Sequence, residues 1–179
     1  MNSEQLSNIH GLMHLPEIAL LKKVIGTCSN NPVVIEIGTG AGTSLMATLE
    51  ARPKAKIITM DILHSSAAGF LQEAGLGQAD VTFVEGDSTL EAAKHQDLLV
   101  DVLILDGDHA TEKVLMDLEA WMPLVRPGGI LLAHDYGTDD GMWVYVKAGV
   151  DKFAQEHGLE FVEVARSLAY FRKGKRSNV

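Results

Sequence analysis

The stretch Val33–Ser44, VVIEIGTGAGTS, decides how this chain folds and what kind of ligand it is built to hold. Its first five residues are β-branched except for Glu36, the composition of a buried strand. Gly38, Gly40 and Gly42 follow at alternate positions, so the backbone after the strand is open to close approach by a ligand. A dinucleotide fingerprint would read G-x-G-x-x-G, but Thr43 stands where its third glycine belongs. Glu36, two residues before the first glycine, would repel a pyrophosphate and suit an ammonium group. The lysine-containing phosphate loop G-x-x-x-x-G-K-[ST] is absent.

Outward from this loop, helix and strand patterns alternate. Leu15, Ile18, Leu21 and Ile25 recur at helical spacing, with Pro16 suited to a first turn. Ser44–Arg52 reads as a helix that Thr43 or Ser44 can cap. AKIITMD is the second strand, ending at Asp61, and a helix over Ala67–Ala74 follows. VTFVEGD is the third strand, before a short helix at Leu90–Lys94. VDVLILD is the fourth, nearly all apolar, as a strand buried on both faces should be. The spacing then predicts a helix over Thr111–Met122, a turn at Pro127-Gly128-Gly129, the strand GILLAHD and a helix over Val144–Glu156. EFVEVA and LAYFRK flank Arg166-Ser167 as a terminal hairpin.

Such alternation implies an α/β three-layer sandwich, a parallel sheet with helices on both faces. Ligands on such sheets bind beyond the carboxyl ends of the strands, where the strand order reverses. Here the strands end in Glu36 with the glycines, Asp61, Asp87, Asp106 and His134-Asp135, which delivers acids and glycines to one edge.

Composition bounds the possibilities. At 179 residues the expectation is one domain over 1–179: a helical segment at 1–30, a catalytic core at 31–174 and a tail at 175–179. The net charge of −9 argues against nucleic-acid or anionic-membrane partners, which need clustered positive charge. Arg172, Lys173, Lys175 and Arg176 read as a solvated C-terminus. The lone Cys28 excludes an intrachain disulfide and reads as a buried structural thiol. MNSEQLSNIH lacks a basic region followed by an apolar stretch, so no signal peptide is expected and the cytoplasm is the expected location.

The E-x-G-x-G-x-G run after the first strand resembles motif I of the class I S-adenosylmethionine-dependent methyltransferases, and the resemblance extends over nearly the whole chain. It implies a Rossmann-like, seven-stranded, mostly parallel sheet with an antiparallel last strand. It also implies S-adenosylmethionine as cofactor, with Glu36, Gly38, Thr39, Gly40, Gly42, Thr43 and Ser44 around its amino-acid end. Asp61 and Ile62 would meet the ribose, Gly86, Asp87 and Ser88 the adenine, and Asp106 the reacting end. DVLILDGDHATEKVLMDLEAWMPLVRPGGILLAHDY further resembles the macrocin-type sugar O-methyltransferases, whose mark is D-G-x-H after the fourth strand.

A hydroxyl acceptor keeps its proton at neutral pH, so a base or a metal must remove or weaken it. His109, three residues beyond Asp106 and in the place of the subfamily's base, is the candidate base, with Asp106 as its catalytic neighbour. Asp106 and Asp135 should end adjacent strands about 5 Å apart, close enough for a divalent cation to relieve their repulsion. The metal-using relatives carry acids at Asp106 and at both positions ending strand five. This chain has His134 first in that pair, so either His134 faces away from magnesium or the site favours manganese, iron or zinc. Residues 136–143 read as a hinged loop over a small-molecule acceptor. With no long insertion to form a cap, recognition would borrow the N-terminal helix or the second subunit of a homodimer. Trp121 continues the stripe of Val114 and Leu118 and belongs to the core. The competing functions are an NAD-dependent oxidoreductase, against which Glu36 and Thr43 argue, and a non-catalytic S-adenosylmethionine-binding module, which has no use for Asp106, His109 and Asp135 together.

Overall fold

The computed structural model describes residues 1–10, 13–137 and 143–175. The elements run α1 (Ser3–His10), α2 (Leu15–Gly26), β1 (Val33–Ile37), α3 (Thr43–Ala51), β2 (Lys56–Asp61), α4 (Ala67–Glu73) and β3 (Val81–Glu85). They continue with α5 (Ser88–Ala92), β4 (Val100–Leu105), α6 (Thr111–Trp121), a short 3₁₀ turn, β5 (Val125–Ala133), α7 (Trp143–His157), β6 (Leu159–Ala165) and β7 (Leu168–Lys173).

The strands form one sheet in the order β3-β2-β1-β4-β5-β7-β6. Pairing is parallel from β3 through β5, and β7 runs antiparallel to both its neighbours. The chain lays β2 and β3 to one side of β1 and then returns to place β4 on the other. The reversal therefore falls between β1 and β4, directly beneath the glycine loop.

The pleat sorts the core into two layers. Val34, Val102, Ile104, Ile130 and Leu132 join Leu6, Ile18, Leu21, Leu45 and Leu49 from α1, α2 and α3. The alternate residues Ile35, Leu103, Leu105 and Leu131 face Val114, Leu118 and Trp121 of α6 with Val150 and Phe153 of α7. Trp121 is fully buried and its indole N–H donates to the Ser88 carbonyl at 3.0 Å, the core role its spacing predicts.

Several boundaries differ from the sequence expectation for physical reasons. Periodicity finds α2 but not α1, whose apolar content is low; α1 is fixed instead by Leu6 in the core and by Ser3, whose backbone N–H donates to Glu50 at 2.7 Å. Neither Thr43 nor Ser44 caps α3, because Gly42 takes the cap position in the left-handed conformation. Pro127-Gly128-Gly129 does not end the element before β5 but lies inside it, where the register jumps from Val100↔Val125 to Val102↔Ile130. The bulge accommodates a proline that cannot donate to the ladder. Arg172 and Lys173 are strand residues rather than a solvated tail, and the Lys173 ammonium donates to the carbonyls of Met122 and Val125. Cys28 is half-buried against the core, and burial pushes its thiol pKa up. Among the described residues no helix is long and apolar enough to cross a membrane.

Candidate active site

Two cavities open along the carboxyl edge of the sheet, of about 650 Å³ and 410 Å³, and both are bounded by Gly38, Asp61, Asp106 and Gly107. They meet where β1 and β4 diverge. The glycine loop forms one wall, with positive φ at Gly38 (89°), Gly40 (47°) and Gly42 (85°). Gly38 has no room for a side chain: a Cβ there would lie 1.9 Å from the Asp106 carbonyl oxygen. At Gly42 it would lie 2.6 Å from the Cβ of Ala67, so this glycine lets α4 pack against the loop.

Asp61 stands where the cavities join. Its carboxylate accepts from the amides of Gly40 and Leu63, each at 3.0 Å, which leaves further lone pairs for a ligand. The smaller cavity has an apolar floor of Met60, Ile62, Leu63 and Met116, with Ile62 75% and Leu63 71% exposed. Gly86, Asp87 and Ser88 line its far side. Asp87 also caps α5 by accepting from Thr89 and Leu90, and Ser88 donates to Asp117 on α6. In the larger cavity the buried hydroxyl of Thr43 has no hydrogen-bond partner among the described residues.

Glu36 is not on either wall, which corrects its expected contact with a ligand ammonium group. It is fully buried under the glycine loop, where its oxygens accept from Ser44 Oγ and Thr59 Oγ1, each at 2.5 Å. Thr39 and Thr59 are hydrogen-bonded beside it at 2.7 Å. Glu36 thus ties β1 to the start of α3 and to β2, shaping the loop from below. Burial raises its pKa from 4.5 to about 7. Between those values the folded chain keeps a proton that the unfolded chain has released, so stability should fall as pH rises from 4.5 to 7. The shift corresponds to about 3 kcal/mol. Urea midpoints of the cofactor-free protein measured across this range should show the decline, and Glu36→Gln should flatten it.

The larger cavity ends in a chain of hydrogen-bonded acids and imidazoles. His134 is 5% exposed at the end of β5, with Nδ1 3.0 Å from Asp106 Oδ1 and 3.3 Å from Asp135 Oδ2. Its Nε2 lies 3.4 Å from Oε2 of Glu17, a fully buried carboxylate from the first turn of α2. Glu17 also accepts from the amide of His14 at 2.6 Å and from the amide and hydroxyl of Ser167 at 3.0 and 2.6 Å. Burial works against charge on His134, but Asp106, Asp135 and Glu17 together push its pKa up to about 12. Burial likewise opposes charge on Glu17, yet the hydrogen bonds from His134, Ser167 and His14 bring it down to about 2. Asp106 is raised by burial despite the neighbouring imidazole. His109, on the loop leaving β4, places Nε2 3.0 Å from Asp135 Oδ2. Asp135 reaches both imidazoles from a left-handed backbone with φ of 53°, a conformation uncommon outside glycine.

The structure therefore gathers Asp106, His109, His134 and Asp135 with Gly38–Ser44 and Asp61 on one cavity, and Ile62, Gly86, Asp87 and Ser88 on the other. One donor atom from each of Asp106, His134 and Asp135 lies within 4.8 Å of the other two. Sequence reasoning missed Glu17, Leu63, Met116 and the hairpin residues Arg166 and Ser167. Glu17 had a local signal as an acid at the third position of a helix, but that signal reports only capping. Residues 138–142 of the expected hinged loop lie outside the described residues.

Comparison with known proteins agrees with this arrangement. A family described as a methyltransferase domain matches residues 35–136. A protein named "Putative O-methyltransferase" from Mycobacterium sp. (strain JLS) is 29% identical over 124 residues, which cover 66% of this chain and 55% of that protein. The chain thus spans about half the length of the curated relatives it matches. An O-methyltransferase from Bacillus cereus, solved in complex with SAH, superposes with a TM-score of 0.71 at 14% identity over 96% of this chain and 89% of that one. The MycE methyltransferase of the mycinamycin biosynthetic pathway, solved with Mg and SAH, gives a TM-score of 0.68 at 19% identity over 99% of this chain and 56% of that one. With more than half its length matched, and with the glycine loop at the switch point of a seven-stranded sheet, the chain belongs to the methyltransferase domain family.

Proposed function

We propose that this domain transfers a methyl group from S-adenosylmethionine to a hydroxyl of a small molecule. One observation carries the reading: a cleft half with an apolar floor meets, at Asp61 and Asp106, a second half that ends in His109 and Asp135. The first half suits an adenosine, with its base over Ile62, Leu63 and Met116 and its ribose at Asp61. Gly38, Thr39 and Gly40 leave space for the amino-acid end. The helical segment 1–30 works as one unit with the core at 31–174, since Met13, His14 and Glu17 help build the larger cavity and its surroundings.

S-adenosylmethionine supplies a methyl already activated by its sulfonium. The protein's task is to hold the acceptor oxygen in line, exclude water and take up the hydroxyl proton. His109 is the group placed to take that proton, and Asp135 steadies the imidazolium that results. Asp106, His134 and Asp135 would hold a divalent cation once it displaces the imidazolium proton of His134, and the cation would then polarise the acceptor oxygen. With one nitrogen among the donors, manganese, iron or zinc suits it better than magnesium. Glu17, behind the far nitrogen of His134, fits the outer carboxylate that orients a metal-bound imidazole.

Labelled S-adenosylmethionine offered with sugars and phenols, with and without Mn²⁺ or Mg²⁺, tests both halves of the reading. Label should appear on an acceptor oxygen, and full chelation should lower the rate at least tenfold with recovery on added manganese. A chelated enzyme that keeps its rate removes the metal, while binding without transfer to any hydroxyl favours the non-catalytic module.

A further inference from the structure

We propose that Arg166 makes the acceptor end of the larger cavity an anion-reading subsite, so that the acceptor carries a carboxylate or a phosphate besides the hydroxyl that is methylated. The naming of the acceptor rests on the methyl-transfer reading; the anion preference itself does not.

Arg166 sits at the turn between β6 and β7 and lines the same cavity as His109, Asp135 and the glycine loop. It arrives there because β7 pairs with β5, which brings the turn beside the end of β5, where the Tyr136 amide donates to the Ser167 carbonyl at 2.8 Å. Its backbone is left-handed, with φ of 51°. A glycine or asparagine would hold such a turn with less strain, and a large side chain persists there only where its surroundings over-determine the conformation. They do so here through the next residue. Ser167 is 7% exposed, and its amide and hydroxyl both donate to the buried carboxylate of Glu17. The turn is pinned from beneath, with the arginine left at the cavity.

The charge pattern then says what it is for. Among the described residues Arg166 is the only arginine or lysine lining this cavity, whose other ionisable residues are Asp61, Asp106, Asp135 and histidines. Those acids have partners within the protein: backbone amides for Asp61, His134 for Asp106, and both imidazoles for Asp135. The other described arginines are engaged too. Arg52 donates to backbone carbonyls, Arg126 pairs with Asp101 at 2.5 Å, and Arg172 donates to Tyr170. The guanidinium of Arg166 has no hydrogen bond or ion pair among the described residues. Arg166 is exposed at the cavity, and its planar, uncommitted fork of donors matches a carboxylate or phosphate. The hydroxyl would face His109 and the anionic group Arg166.

Calorimetry on the protein with and without S-adenosylhomocysteine tests this with two probe pairs. One is 3,4-dihydroxybenzoate against its methyl ester, and the other is glucose 1-phosphate against methyl glucoside. In at least one pair the anionic member should bind roughly 10- to 100-fold more tightly, the usual worth of a hydrogen-bonded charge. The pair that shows it identifies carboxylate or phosphate as the group read. Arg166→Gln should abolish the preference and Arg166→Lys should keep part of it, with S-adenosylhomocysteine affinity unchanged in both. Arg166→Asn, which tolerates the left-handed turn, should lose the preference while melting about 2–4 °C higher. No preference in either pair, or a preference that survives Arg166→Gln, overturns the proposal. Failure of the wild-type protein to bind S-adenosylhomocysteine overturns the methyl-transfer reading instead, and the anion preference of the cofactor-free protein still decides the role of Arg166.

Discussion

Replacing His109 with Ala should slow the methyl-transfer step by roughly 10²–10⁴-fold, the usual worth of a positioned general base. The expectation rests on place and partner. His109 lines the larger cavity and holds Nε2 3.0 Å from the carboxylate of Asp135, which is 14% exposed. A carboxylate in that position fixes the ring and stabilises the imidazolium formed when the acceptor proton arrives. Removing the imidazole leaves Asp61, the glycine loop and the apolar floor in place, so cofactor affinity should change little. Single-turnover transfer of labelled methyl, read beside S-adenosylhomocysteine affinity, separates the roles. An unchanged turnover rate with weakened cofactor binding would move His109 from chemistry to binding.

The second large effect is expected at Gly40. Its φ of 47° is left-handed, its amide donates to Asp61 on the cavity wall and its carbonyl accepts from Ser65. Gly40→Val puts a β-branched side chain where even unbranched residues are strained, on the loop proposed to hold the cofactor. Twisting the loop to relieve that strain would also release Asp61 from the Gly40 amide. A few kcal/mol lost in this way corresponds to roughly 10²–10³-fold weaker S-adenosylmethionine binding. The core makes no use of the Gly40 position, so the unfolding midpoint should fall far less than the affinity. Calorimetric binding equal to wild type would refute the placement of the cofactor against this loop.

Much of the molecule was legible because it is written in short-range patterns. The strands of VVIEI, KIITMD and VDVLIL are mostly apolar since helices cover both faces, and their order alternates with helical spacing. That alternation is enough to bring the carboxyl ends of β1 to β5 to one edge. Asp61, Asp106, Asp135 and the glycines could be assigned to that edge from their positions alone. Gly38 is fixed by the same logic, since only a residue without Cβ passes the Asp106 carbonyl at the switch point.

The sequence also placed His134 beside Asp135 at the end of strand five, but not which way its ring would face. That depends on Glu17, 117 residues away, and on Ser167, 150 residues from Glu17. The side of the loop on which Glu36 lies was equally unreadable, because the pleat of β1 and the hydroxyls of Ser44 and Thr59 set it together. Arg166 looked like half of a hairpin turn until β7 paired with β5 and carried it to the cavity. Periodicity and strand ends record which face of an element is buried and where it stops, so the sequence by itself determined the sheet, its working edge and most of the residues delivered there. Contacts between elements distant in the chain depend on how all the layers settle at once. For that reason only the tertiary structure decided that Glu36 supports the loop from below, that Glu17 holds His134, and that Arg166 reaches the larger cavity.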